Sequence, residues 1–301
     1  MTRRVRPKEA DDRSIVSTSD WQRRRVRRTF GVLHGVLLVL LVVFGLGPIL
    51  WLAKSAVTTT QDTLRDPMGL FPSGIDWGNL AAAWTEVHID VQFMNTIWVA
   101  VGAWAVQLLV ATTAGYALSI LKPRYAGILN GLVLATLFVP VVVLLVPLYL
   151  VIINPPLIQT SLINTFWAVW LPAGANAFNI LLVKRFFDNL PREVFEAART
   201  DGAGPFRLFW SIVLPMSRPI LGVVSVFAII ASLKDYLWPM LVLPDPAVQP
   251  LGVRLPAIQS QVELDVFLAA LAISTIIPIV LFLAFQRVFL RSAGLGGAVK
   301  G

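Results

Sequence analysis

The sequence predicts an all-α integral membrane protein built on six transmembrane helices. Three observations carry that reading. Of its 301 residues, 56% are hydrophobic and only 14% charged, at a mean hydropathy of +0.74, whereas soluble domains average about 25% charged residues. Six apolar stretches each reach the length of about 20 residues that a helix needs to cross a bilayer core. Lysine and arginine crowd alternate connections between those stretches, as they do in membrane proteins of fixed orientation.

The chain opens on a basic leader, residues 1–29, which ends with RRRVRR at residues 23–28. The formal charge of +8 invites a nucleic-acid reading. Position argues against it, because the basic run directly precedes the first apolar stretch, where such residues hold a terminus in the cytoplasm. The first span, Phe30–Ala53, exceeds the roughly 7 to 15 residues of a signal-peptide core and follows a long polar leader, so it reads as an anchor. The remaining spans run Phe93–Leu121, Gly127–Ile153, Leu162–Val183, Leu214–Pro239 and Val266–Leu290, within the domain 30–301. Pro140, Pro147, Pro172, Gly174 and Pro278 fall inside spans. Each loosens backbone pairing that neighbouring helices or a cavity must then satisfy, which favours a bundle around a path.

Orientation follows from the connections. Lys122 and Arg124 lie between spans two and three; Lys184, Arg185, Arg192, Arg199, Arg207 and Arg218 lie in and around the connection of spans four and five; the tail has Arg287, Arg291 and Lys300. The opposite loops are poor in them: residues 54–92 offer Lys54 and Arg65 against Asp62, Asp66, Asp76, Glu86 and Asp90, and residues 240–265 offer Arg254 alone. Both termini and the connection at 188–215 are therefore expected on the cytoplasmic side of the membrane.

Several chemistries are absent. The chain has no cysteine, and its two histidines, His34 and His88, lie far outside any zinc spacing and read as structural. No metal site is expected. A phosphate-binding loop needs G-x-x-x-x-G-K-[ST]; GLGGAVKG at 294–301 has the wrong spacing. The spans show no paired carboxylates or nucleophile arrangement at a common depth, which argues against a membrane enzyme. They also lack the acid and histidine relays of an ion-coupled transporter.

EAARTDGAGPFRLFWSIVLP, residues 196–215, is the polar interruption between spans four and five. Pro191 suits a first helical turn, and Glu193 and Glu196 place negative charge near its positive end, so EVFEAART is expected to be a short helix. Gly202, Gly204 and Pro205 then allow a sharp turn. Phe206, Phe209, Trp210 and Val213 recur at helical spacing and predict a second short helix with one apolar face, and Pro215 marks the redirection into span five. On periodicity alone this helix–turn–helix is equally a docking element or an amphipathic connection resting on lipid.

The segment resembles the EAA loop of permease subunits in ATP-binding-cassette importers. Glu196, Ala197 and Ala198 are followed at the family's spacing by Gly202, Ile212, Leu214 and Pro215. NTIWVAVGAWAVQLLVATTAGYAL at 95–118, VPLYL at 146–150, LWP at 237–239 and GAVKG at 297–301 are similar to the carbohydrate-uptake branch, close to the maltose-transporter inner-membrane permeases. The resemblance implies a type I importer in which this subunit pairs with a second permease, two ATPase subunits dock below, and an extracytoplasmic sugar-binding protein delivers the solute. It assigns ATPase coupling to Glu196, Ala197, Ala198, Asp201, Gly202, Ile212, Leu214 and Pro215. It leaves this chain without a cofactor, ATP and Mg being bound by the partner ATPase subunits. Glycerol phosphate is the alternative solute.

Polar residues in or near the spans are the candidate solute path: Asn164, Asn176, Asn179, Ser232, Lys234, Asp235, Tyr236 and Trp238. Sugars are held by hydrogen bonds and aromatic faces. The competing reading is interhelical hydrogen bonding and interfacial belts. Lys234 and Asp235 lie roughly 30 Å from Pro215 along a straight helix, near the outer interface, where snorkelling also accounts for them. In SLKDYLWP a lysine stands where related permeases usually have a neutral hydrogen-bonding residue.

Overall fold

The computed structural model describes residues 24–69, 71–156 and 158–284. The start of the leader and the tail, with Arg287, Arg291, Lys300 and GAVKG, lie outside the described residues. The chain divides into two units, residues 1–54 and 55–301.

The first unit carries α1, Arg24–Ser55, a 32-residue helix. Its side chains are apolar on every face and exposed, Leu41 at 70% and Phe44 at 76%. A helix hydrophobic all round belongs in lipid or against other protein, not in water. His34 bonds within the helix, its Nδ1 lying 3.0 Å from the Phe30 carbonyl.

The second unit is arranged around one long helix, α4. It is preceded by the short α2, Thr60–Arg65, and α3, Gly78–Thr85. α4 runs Ile89–Tyr116 and continues through a π-helical turn, Ala117–Leu121. Then come α5 (Ala126–Thr136), α6 (Val141–Ile153), α7 (Trp167–Gly174) and α8 (Ala177–Asp188). α9 (Arg192–Thr200) and α10 (Pro205–Met216) lead into α11 (Arg218–Lys234), α12 (Leu237–Val242), α13 (Leu251–Ile258) and α14 (Leu264–Ala284). No strand occurs among the described residues.

α4 packs against α7, α8, α11 and α13. Small residues permit the close approach, as between helices in lipid, where packing replaces the hydrophobic effect. A Cβ added at Gly115 would stand 2.9 Å from Val183 Cγ1, and one at Gly102 would strike the Trp170 ring. At its Ile89 end α4 holds the 243–251 loop by side-chain bonds. Asn95 donates to the carbonyls of Ala247 (2.8 Å) and Gln249 (3.2 Å), and Thr96 accepts from the Leu251 amide at 2.8 Å. Thr60 and Asp265 cap each other's helices, amide to side chain, at 3.1 and 3.2 Å.

The expected spans are corrected in three places. Gly127–Ile153 is not straight: α5 and α6 meet at 110°. Pro140, which has no N–H and disfavours helical angles at the residue before it, sits at the bend. Leu162–Val183 begins later, at Trp167, breaks between Gly174 and Ala177, and runs on to Asp188. Leu214–Pro239 is interrupted at both ends: Leu214 and Pro215 belong to α10, which meets α11 at 79°, and α11 stops at Lys234. The second span starts four residues early, at Ile89, and the described part of the last runs Leu264–Ala284. α2, α3 and α13 were not anticipated, because each is too short for periodicity to register.

Candidate functional site

The polar interruption folds as a helical hairpin, α9 and α10. α9 starts after Pro191, which occupies the capping position rather than the first turn. Phe195 and Ala198 are buried beneath it, and Glu193, Glu196 and Ala197 are exposed. The helix ends in a compact Schellman-type closure. The amides of Asp201, Gly202 and Ala203 donate to the carbonyls of Ala197 (3.0 Å), Arg199 (3.0 Å) and Ala198 (2.9 Å). Gly202 has φ +79°, and a Cβ there would meet nothing within 4 Å. Backbone conformation, not space, therefore requires the glycine.

Gly204 then caps α10, with Pro205 in its first turn. A π-helical turn at Phe209–Val213 divides the expected single apolar face in two. Leu208, Phe209 and Val213 are buried at 2%, 8% and 0% exposure, whereas Phe206 and Trp210 stand out at 75% and 55%. The two exposed rings pair edge-on, their centroids 6.2 Å apart. Ile212 and Leu214 are half-buried, and Pro215 is exposed. The redirection falls two residues after Pro215, at Ser217, whose hydroxyl and amide both donate to the Val213 carbonyl, at 2.6 and 3.1 Å.

Two anchors that sequence reasoning did not single out fix this hairpin to the bundle. The Tyr116 hydroxyl at the end of α4 donates to the Pro205 carbonyl at 2.8 Å, and its ring lies 5.0 Å from that of Phe209. Asp188, beyond the expected end of the fourth span at Val183, accepts from Ser119 at 2.8 Å and pairs with Lys184 at 2.8 Å.

The candidate path residues fall in three places. Asn164, at φ +64°, is a clamp: its amide donates to the Val242 carbonyl at 2.7 Å and its Oδ1 accepts from the Asp245 amide at 3.0 Å. Trp238, on the neighbouring α12, is buried with its ring N–H on the Ala168 carbonyl at 3.0 Å. Asn176 and Asn179 meet at the break in the fourth span. Asn176 caps α8 by accepting from the Asn179 amide at 3.0 Å, and Asn179, 2% exposed, donates to Gln107 Oε1 at 3.0 Å. Gln107 in turn donates at 2.9 Å to the carbonyl of Ala173, which the break leaves free. The third group closes α11: Ser232, whose buried hydroxyl has no partner, then Lys234, Asp235 and Tyr236. Asp235 accepts from the Trp238 amide at 3.3 Å. α11 has 17 residues, so Lys234 stands roughly 25 Å from the bend rather than 30 Å from Pro215.

Gln107 was missed although a signal existed. It shares one face of α4 with Gln92 and Thr96, and an amide in an apolar span is costly unless bonded. All three are buried and hydrogen-bonded.

The bilayer-length and broken helices around α4, with a polar hairpin at their ends, define a polytopic membrane protein. The sequence matches the family described as binding-protein-dependent transport system inner membrane component over residues 107–294, more than half the chain and including the hairpin. The chain belongs to that family. It is 31% identical to the diacetylchitobiose uptake system permease protein of Streptomyces coelicolor, over 89% of each chain. It is 30% identical to an arabinooligosaccharides transport system permease protein of Halalkalibacterium halodurans, over 84% of this chain and 91% of the relative. An sn-glycerol-3-phosphate transport system permease protein of Yersinia pestis is 28% identical, over 88% of this chain and 96% of the relative. The fold matches a chain in the crystal structure of a bacterial ABC transporter involved in the import of the acidic polysaccharide alginate. That match has a TM-score of 0.75 at 22% identity and covers 91% of this chain and 98% of the other.

Proposed function

We propose that this permease subunit forms half of the translocation path of an ATP-driven sugar importer and is coupled to its motor through the α9–α10 hairpin. The observation that carries the reading is the hairpin itself. It is fixed from beneath by Phe195, Leu208 and Phe209, turned by a glycine at φ +79°, and exposes Glu196 and Ala197 to a partner. Sugar is favoured over glycerol phosphate by the two relatives at 31% and 30% identity, both permeases for oligosaccharides, against 28% for the glycerol-phosphate permease. Among the candidate path residues Lys234 is the single cation, which gives a phosphate ester little counter-charge.

In this reading the chain crosses the membrane six times. α5 with α6, and α7 with α8, each serve as one broken span. Both termini and the hairpin face the cytoplasm, which the distribution of lysine and arginine supports. A second permease completes the path, two ATPase subunits bind ATP and Mg and grip the hairpin, and an extracytoplasmic binding protein delivers the sugar. Glu196, Ala197 and Asp201 form the gripped surface, the buried Ala198 seats α9 on the bundle, Gly202 makes the turn, and Ile212, Leu214 and Pro215 make the return into the bundle. Closure of the ATPase pair moves the hairpin as a rigid body and tilts the bundle between inward-open and outward-open arrangements, with the free energy coming from nucleotide contacts in the partner. Among the path candidates, the Asn176–Asn179 break and the Ser232–Asp235 turn are the places where irregular backbone supports a polar lining.

Uptake of labelled oligosaccharides by cells with and without the chain tests the solute class; unchanged uptake of every sugar alongside lost glycerol-phosphate uptake would reverse the assignment. Gly202→Asp tests the coupling. Aspartate is among the residues that best tolerate positive φ, so this change mainly adds a negative charge beside the gripped surface. The variant is expected to reach the membrane, lose uptake and shed its ATPase subunits. Normal uptake would remove the hairpin from the coupling role.

A further inference from the structure

A cleft of about 250 Å³ lies between α9 and the ends of α4 and α8, with Lys122, Asp188, Arg192, Glu196 and Arg199 around a base of Phe187 and Phe195. Its charge is unbalanced. Arg192, Glu196 and Arg199 are spaced four and three residues apart and so share one face of α9. Lys122 comes from the opposite wall, on a backbone at φ +45°, a conformation that costs a lysine about 1 kcal/mol or more. Asp188 is engaged by Lys184 and Ser119. The ion pairs among the described residues include none for Lys122, Arg192 or Arg199, and Glu196, one turn from each arginine, bonds to neither. Three cations, Lys122, Arg192 and Arg199, thus outnumber the cleft's two carboxylates, Asp188 and Glu196, and none of the three sits in an ion pair among the described residues.

We propose that this cleft is a phosphate-binding site that ties the hairpin to the bundle. Unpaired guanidinium groups in a fixed cleft match the oxygens of a phosphate. The cleft sits at the ends of two bilayer helices, the depth of lipid headgroups, and basic pockets between helices on the cytoplasmic side take anionic headgroups. The phosphate comes from an inner-leaflet phospholipid or from a soluble phosphate. An occupant bridging Lys122 to Arg192 and Arg199 links α4 to α9, so the anionic content of the membrane sets how firmly the hairpin is held. The inference rests on the cytoplasmic orientation proposed above.

The test uses the whole transporter, co-expressed with its partner subunits, purified through a tag on this chain and reconstituted in nanodiscs with and without phosphatidylglycerol. Bound phospholipid is counted by native mass spectrometry. The wild type is expected to retain phosphatidylglycerol over phosphatidylcholine, with retention falling roughly fivefold for each cation lost in Lys122→Gln, Arg192→Gln and Arg199→Gln. The charge-preserving variants Lys122→Arg, Arg192→Lys and Arg199→Lys should retain it, which separates charge from folding. Inorganic phosphate that protects the wild type against thermal unfolding but not the Gln variants, without phosphatidylglycerol retention, assigns the same site to a soluble anion. Equal retention in wild type and all three Gln variants, with no phosphate protection, overturns the proposal. So does loss of the ATPase subunits from the Gln variants with lipid and phosphate binding unchanged, since the cations then serve a protein contact. Because the chain has no cysteine, Arg207→Cys labelled by an impermeant maleimide in intact cells reports orientation separately. Labelling there overturns the cytoplasmic reading while leaving the anion measurement to stand or fall alone.

Discussion

The chain interrupts its helices at two instructive places, and it repairs them by different means. At Gly202 the hairpin turn is closed chiefly by backbone: three successive amides return to carbonyls of α9, and the one side chain that joins them, Thr200, donates its hydroxyl to the Glu196 carbonyl at 3.0 Å. At Gly174–Ala177 the expected fourth span breaks within the bundle, and side chains do the work. Asn176 caps α8, Gln107 takes the freed Ala173 carbonyl, and Asn179 fills the other end of Gln107. A turn at a polar surface needs only a residue with the right φ, because solvent satisfies what remains. A break inside the bundle needs amides of fixed length and direction, because an unpaired group there costs several kcal/mol.

Breaking the first repair should have the largest effect. Gly202→Val forces a β-branched residue to φ +79°, a strain of about 1–3 kcal/mol; uptake should be lost, and protease sensitivity of the hairpin should rise in detergent. Gly202→Asn should keep both near wild type. At the second, Gln107→Leu strands the Ala173 carbonyl and the Asn179 amide, and should lower stability by about 1–3 kcal/mol in thermal unfolding. Adding Asn179→Leu should recover part of that loss, and strict additivity of the pair would show that the bridge does not couple them. Tyr116→Phe removes one neutral bond to the Pro205 carbonyl and should cost about 1 kcal/mol. Smallest of all, Trp210→Ala should leave unfolding within about 0.5 kcal/mol, since the ring is half exposed.

The same contrast explains what was legible in the sequence. The hairpin could be read residue by residue, because glycine, proline and the i, i+4 recurrence are local signals. Pro191 and Pro215 were misplaced by one and two residues, and the single aromatic face came from assuming 3.6 residues per turn across Phe209–Val213, where a π-helical turn shifts the register. The spans were located by composition, but their bends were not: Pro140 in an apolar run marks a place where a helix can bend, and only packing decides whether it turns by 110°. The path candidates were the least legible. Trp238 and Asn164 are polar in sequence for reasons of assembly, one anchoring α12 to Ala168 and the other clamping Asp245. Gln107 carries its role through partners 66 and 72 residues away, a distance at which no spacing rule operates.

The uninterrupted run of α8 has a mechanical corollary. Its twelve residues make a strut roughly 18 Å long, with the amide bridge near one end and the hairpin hung from the other. Swinging such a strut by about 10° displaces its tip by roughly 3 Å, the full length of a hydrogen bond. Asn179, within about 5 Å of the pivot, moves by less than about 1 Å in the same swing, so the Gln107–Asn179 bridge serves as a fulcrum about which the hairpin end travels.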